Sequence, residues 1–122
     1  MKILVDTSVL IDYLRTAKSS SETKLSQIYQ RADGLVFSLI SVGEIFSGTS
    51  VPEKIEDIRK LFKLGEMIGL NYALMVRAGE IRRTTKISLL DAIIASSALT
   101  LDLPVATLNV KDFSKVKGLK LL

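Results

Sequence analysis

The feature that most constrains this chain is a recurring junction. Short apolar runs of four or five residues break off close to a carboxylate or amide, and helical spacing follows. Lys2–Val5 ends at Asp6, residues 35–39 precede Ser41 and Glu44, and residues 104–108 end at Asn109. Runs this short, bounded by turn residues, are read as buried strands. Buried strands that alternate with helices predict an α/β fold, in which a short central parallel sheet is covered by helices on both faces in a three-layer arrangement. In such sheets ligands bind beyond the carboxyl ends of the strands, so the residues just after each strand are the ones to inspect.

The segments between these runs fit the same plan. Val9, Leu10, Ile11, Tyr13 and Leu14 give a short helix after the first strand. Ser19, Ser20 and Ser21 form a loop and helix start, and Ser21-Glu22 opens a helix with Leu25, Ile28 and Tyr29 on one face, which Gly34 ends. Residues 41–46 make another short helix, closed near Gly48. Pro52-Glu53 opens a helix carrying Ile55, Ile58, Leu61 and Phe62, which Gly65 closes. Residues 67–70 suggest a strand. Asn71 caps a helix running to about Lys86, and Ser88 opens a strongly apolar helix through about Leu101. Residues 109–113 form a turn or short helix, and residues 119–122 a final edge strand. With 122 residues and no linker or repeat, one domain over 1–122 is expected.

Composition removes many chemistries. There is no cysteine, which excludes disulfides, thiol nucleophiles and Cys zinc sites, and no histidine, which excludes His-dependent triads and His metal sites. A hydrolytic activity would have to use carboxylates, hydroxyls, lysines or a carboxylate-bound metal. The net charge of +4 mildly favours an anionic partner such as nucleic acid. Neither a signal-peptide core at the N-terminus nor a membrane-length apolar run is evident, so a soluble cytoplasmic protein is expected.

The residues at the strand ends are acidic or amide: Asp6, Glu44, Asp91, Asn109 and Asp112. If the sheet is parallel, they converge at one end of it. Carboxylates gathered in a cleft repel one another and stay ionised together only beside positive charge. Without His or Cys, a hard cation with oxygen ligands, Mg²⁺ or Mn²⁺, is the natural partner. Each residue also has a structural role open to it. Ser41-Val42-Gly43-Glu44 and Ser88-Leu89-Leu90-Asp91 have the form of capping boxes, and Asp6 and Asn109 could cap the helices that follow them.

Four pieces, Leu4-Val5-Asp6-Thr7-Ser8-Val9-Leu10-Ile11-Asp12, Ser41-Val42-Gly43-Glu44, Leu90-Asp91-Ala92-Ile93-Ile94-Ala95 and Thr107-Leu108-Asn109-Val110-Lys111-Asp112-Phe113, resemble the PIN-domain ribonucleases, and within them the VapC toxins of toxin–antitoxin pairs. Gly79-Glu80-Ile81-Arg82-Arg83 resembles the same branch. The resemblance spans residues 2 to about 121. It implies a Rossmann-like sheet, an Mg²⁺- or Mn²⁺-dependent endoribonuclease leaving a 5′-phosphate and a 3′-hydroxyl, a cognate antitoxin protein and a homodimer. Asp6, Glu44 and Asp91 match the acidic catalytic and metal positions, and Thr7 or Ser8 matches the small hydroxyl beside the first acid. The fourth acidic position falls in the Asn109–Asp112 turn, where many relatives carry Asp in place of Asn109.

Asp6 and Asp91 are then the central ligands, with Glu44 holding metal through water or helping activate the nucleophile. Arg77, Arg82, Arg83, Lys86 and Lys111 are candidates to contact RNA backbone, although each also fits a solvated face. The apolar content of residues 55–64 and 72–81 exceeds one buried stripe and fits the expected dimer. Other phosphate chemistries fit less well. Asp6-Thr7-Ser8 lacks the second acid of a haloacid-dehalogenase phosphatase, and the adjacent acids of a receiver domain are missing. A catalytically degenerate PIN-like module that binds a protein is the remaining alternative, and Asn109 favours it.

Overall fold

The computed structural model describes residues 1–16 and 22–122. The expectation for the Ser19–Ser21 run lies outside the described residues. Four strands, β1 (Lys2–Val5), β2 (Gly34–Ser38), β3 (Gly65–Ile68) and β4 (Val105–Ala106), form one sheet in the order β3-β2-β1-β4. Every pairing is parallel: Ile3 aligns with Leu35, Val36 with Glu66 and Val5 with Ala106. The helices are α1 (Thr7–Thr16), α2 (Lys24–Arg31), α3 (Leu39–Phe46), α4 (Val51–Phe62), α5 (Tyr72–Thr85), α6 (Leu89–Leu101) and α7 (Val110–Phe113).

Strand alternation divides the core in two. Ile3, Val5, Leu35, Phe37 and Ala106 point to one face, where Val9, Leu10, Leu14, Leu25, Ile28, Ile45, Ile58 and Leu61 of α1 to α4 cover them. Leu4, Val36 and Val105 point to the other, where Leu74 and Ala78 of α5, Ala92 to Ala95 of α6 and Phe113 of α7 cover them. Phe37 meets Phe62 edge to face at 5.4 Å. The result is the three-layer α/β architecture that the sequence predicts.

Several boundaries differ from expectation, each for a local reason. Gly34 does not end α2. Ala32 closes that helix, and Gly34 is the first residue of β2. Gly65 likewise begins β3, Lys63 having capped α4. A Cβ at Gly65 would lie 2.3 Å from the Leu35 carbonyl oxygen, so a side chain there would push against the neighbouring strand's backbone. The expected capping box at Ser41 is not formed. Ser38 caps α3, accepting from the Ile40 N–H at 3.2 Å, which leaves Ser41 and Glu44 inside the helix. Strand β4 contracts to two residues, and the last expected strand reduces to a single parallel bridge between Val105 and Leu121. The bridge lies at the outer edge, where Val105 alone of β4 exchanges hydrogen bonds with residues 120–122. Among the described residues, no helix is long and apolar enough to cross a membrane.

Candidate active site

The strand order places a topological switch between β1 and β4: the chain builds outward from β1 to β2 and β3, then returns to β1's other edge. Ligand crevices form at such points, beyond the strands' carboxyl ends. Asp6 leaves β1 there and Thr107 leaves β4 there.

Asp6 is buried, 3% exposed, and supplied with donors. Its Oδ2 accepts from the Ser8 hydroxyl at 2.7 Å and the Thr107 hydroxyl at 2.8 Å. Oδ1 accepts none. Since no buried side-chain oxygen among the described residues lacks a partner, Oδ1 keeps some access to solvent. Asp6 makes no side-chain cap to α1. Its main-chain oxygen instead accepts from the Val9 N–H at 3.1 Å.

The two hydroxyls beside Asp6 divide the work. Ser8 serves Asp6 and also accepts from the Leu108 N–H at 3.0 Å, tying α1 to the loop after β4. Thr7 points to α3: its hydroxyl donates to Glu44 Oε1 at 2.7 Å and lies 2.8 Å from Ser41 Oγ. The sequence left Thr7 and Ser8 as alternatives, and the structure gives each its own acid. Glu44 also lines a cavity of about 150 Å³ between α1, α3 and α4, with Ile11, Arg15 and Lys54 on its walls.

Asp91 sits in the first turn of α6, behind the Ser88 cap that receives its N–H at 3.1 Å. Burial and, after it, the charge of Asp6 push its carboxyl above the ordinary carboxylate range. The hydrogen bonds of Asn109 and Ser88 oppose this, and Glu44 adds a smaller upward push. Asp91 is thus near enough to Asp6 and to Glu44 to feel the charge of each. Among the described residues, no three His, Cys, Asp or Glu side chains form a ready ligand cage.

Asn109 does not cap α7 with its side chain. Its Nδ2 donates to Asp91 Oδ2 at 3.1 Å and to Asp112 Oδ2 at 3.0 Å. The Asn109 bond, with the Lys115 charge, holds the Asp112 carboxyl below its ordinary range. Arg82 and Arg83 lie exposed on the last turn of α5, and Lys86 closes that helix in a left-handed conformation with φ 68°. Lys111 is exposed on α7. None of these four forms an ion pair with a cleft acid among the described residues. Arg77 lines a separate groove with Glu80, Lys115 and Lys117.

Two participants were missed from sequence, Thr107 and Ser41. Thr107 stands directly after a strand, the position that the carboxyl-end rule selects. A lone hydroxyl there, unlike an acid or amide, carries no distinctive chemical signal in sequence. Ser41 carried no usable signal, since its spacing to Glu44 imitates a cap.

A parallel α/β sheet with Asp6, Glu44 and Asp91 at its carboxyl end defines the class, and residues 3–119 match the PIN domain family, to which the chain belongs. The chain is similar to Ribonuclease VapC10 of Mycobacterium tuberculosis, with 33% identity over 124 residues covering 97% of this chain and 90% of that protein. It is also similar to Ribonuclease VapC1 of Methanocaldococcus jannaschii, with 32% identity over 128 residues covering 98% of this chain and 86% of that protein. Among solved structures, a toxin–antitoxin complex from Klebsiella pneumoniae superposes with a TM-score of 0.79 at 26% identity, over 96% of this chain and 94% of the matched one. The resemblance carried by the four sequence pieces is borne out.

Proposed function

We propose that this chain is a metal-dependent endoribonuclease, built as one PIN domain over residues 1–122, and the toxin of a toxin–antitoxin pair. What supports this is that Asp6 and Asp91 are linked through Thr107 and Asn109 at the switch point of a parallel sheet, with Glu44 held by Thr7, the residue next to Asp6. The names of the similar proteins support the activity, and the Klebsiella complex supports an antitoxin protein as partner.

The donor set fits a hard cation. It consists of carboxylate, hydroxyl and amide groups, and its acids repel one another until positive charge enters. Because no three acids close a cage, a cation would take one or two carboxylates and complete its shell with water and phosphate oxygens, the habit of Mg²⁺. Asp6 and Asp91 would hold Mg²⁺ or Mn²⁺, with Glu44 behind a water. When bound, such an ion supplies an acidified water and neutralises charge on the phosphodiester.

The chain's own residues prepare the site. Ser8 and Thr107 occupy Asp6 Oδ2 and leave Oδ1 open. Thr7 fixes one oxygen of Glu44, leaving the other to accept a proton from water. Arg82, Arg83, Lys86 and Lys111 are surface cations for RNA phosphates, and Arg77 belongs with them. The products are a 5′-phosphate and a 3′-hydroxyl. A homodimer covering the exposed Tyr72 and Val76, and a cytoplasmic location, belong to the same proposal.

Incubation of the protein with single-stranded RNA in Mg²⁺ or Mn²⁺ tests it. Cleavage that stops in EDTA and returns with added metal is expected, and cleavage indifferent to EDTA contradicts it. A degenerate PIN-like module that only binds a protein is the second reading. The neutral Asn109 between Asp91 and Asp112 favours it, and absence of cleavage with every metal tried, alongside tight antitoxin binding, would support it.

A further inference from the structure

Asn109 is joined to both central acids of the cleft, through two different groups. Its main-chain N–H donates to Thr107 Oγ1 at 2.9 Å, and the Thr107 hydroxyl passes on to Asp6 Oδ2 at 2.8 Å. Its side-chain Nδ2 donates to Asp91 Oδ2 at 3.1 Å and to Asp112 Oδ2 at 3.0 Å. An asparagine side chain has two donor hydrogens and one acceptor oxygen. Both hydrogens here are spent on carboxylates. Turning the amide over would set its oxygen against two anions and take one donor from each.

Asp112 belongs to a different electrostatic neighbourhood from the other acids. Its Oδ1 is paired with Lys115 Nζ at 3.5 Å, and its Oδ2 accepts from Asn109 Nδ2 at 3.0 Å. Asp91 has no such cation among the described residues. Asp112 therefore carries its own counter-charge, and the group that joins it to Asp91 is the Asn109 amide.

We propose that Asn109 is a positioning residue whose amide clamps Asp91 for cation binding, and that Asp112 acts only by fixing the orientation of that amide, without ligating the cation. This rests on the reading that Asp6 and Asp91 hold a divalent ion. An amide at position 109 suits the role, since it donates to Asp91 and a carboxylate cannot.

Mn²⁺ binding to the full-length, RNA-free protein tests the assignment, measured by the loss of the free-ion paramagnetic resonance signal. The proteins compared are wild type, Asn109→Ala, Asp112→Ala and the double variant. Loss of a group that orients a metal ligand typically weakens binding by about 10–100-fold. Asn109→Ala is expected to weaken Mn²⁺ by about tenfold, and Asp112→Ala by about threefold, because it acts at one remove. The double variant should match Asn109→Ala alone, because both changes cut the same connection. A loss of tenfold or more in Asp112→Ala, an unchanged affinity in Asn109→Ala, or losses that multiply in the double variant overturn the assignment.

If Asn109→Ala does not fold, Asp112→Ala carries the test. The Asn109 side-chain amide protons should then lose their protection from exchange with water while Mn²⁺ binding falls less than tenfold. Unaltered amide signals or a larger fall overturn it. Failure of the wild type itself to bind Mn²⁺ removes the metal reading and this inference together, whereas a wild type that binds and an Asp112→Ala variant that does not removes the inference alone.

Discussion

The hydroxyl of Thr107 donates to Asp6 Oδ2 at 2.8 Å, joining residues 101 apart in sequence. The bond forms because β1 and β4 run side by side in parallel, Leu4 against Val105 and Val5 against Ala106, so that both strands deliver their next residue to the same end of the sheet. Hydrogen bonds to buried charges contribute about 1.5–3 kcal/mol. Thr107→Val, which keeps the shape and removes the hydroxyl, should lower stability at pH 7 by about that much, read from the denaturant midpoint, with Thr107→Ser recovering most of it.

The two shifted carboxylates predict opposite pH dependences. Asp91 is raised in the folded state, so folding favours its protonated form. Its contribution weakens stability as pH rises from the unfolded carboxylate range through the raised folded value. Asp112 is lowered, so its contribution is present above the unfolded range and is lost as pH falls through the folded value. In metal-free protein, Asp91→Asn should therefore raise the melting temperature at pH 7 and have little effect near pH 3. Asp112→Asn should lower it at pH 7, with the difference closing in acid. Mg²⁺ should reverse the gain seen in Asp91→Asn, because wild type alone then has a partner for that charge.

Gly65 and Gly79 should respond to alanine in opposite directions. A Cβ at Gly65 meets the Leu35 backbone at 2.3 Å, and Gly79, inside α5, has nothing within 4 Å. Gly65→Ala should cost about 2–3 kcal/mol by forcing β2 and β3 apart. Gly79→Ala should stabilise by about 0.5–1 kcal/mol through helix propensity. Thermal melts of the two variants check both signs.

Tyr72 and Val76 occupy one side of α5 a turn apart and are 86% and 46% exposed. The apolar residues of α4 mostly turn inward: Ile58 and Leu61 are buried and Phe62 packs on Phe37. Of the two helices expected to supply a dimer face, α5 leaves the larger apolar area open, while α4 exposes Ile55. Tyr72→Glu with Val76→Glu should shift a dimer to monomer in sedimentation velocity at micromolar concentration. Wild type that sediments only as monomer contradicts the dimer.

The sheet and its two cores were legible from residue order, because a buried parallel strand needs an apolar run and its crossover needs a helix. Asp6 and Asp91 were legible for the same reason: each stands where such an element begins or ends. Glycine was misleading. Gly34 and Gly65 resemble helix stops, yet both open strands, and at Gly65 the cause is the closeness of a strand 30 residues away, which local pattern cannot show. The Ser41–Glu44 spacing imitates a cap, and only the position of α1 shows that these side chains answer Thr7. Asn109 was legible as an odd residue in an acidic position. Its two carboxylate partners depend on how α6 meets the α7 turn.

The most direct measurement is cleavage of single-stranded RNA by Asp6→Asn beside wild type, with Mn²⁺ affinity and metal-free stability taken on the same preparations. An amide is a poorer ligand than a carboxylate for a hard cation, and its neutrality relieves repulsion with Asp91. Cleavage should be lost and Mn²⁺ binding weakened, while the denaturation midpoint stays equal to wild type or rises. Were Asp6 only a helix cap, Asn would serve about as well and all three readings would stay unchanged. RNA cleavage that survives both Asp6→Asn and EDTA contradicts a carboxylate-held metal as the centre of this protein's chemistry.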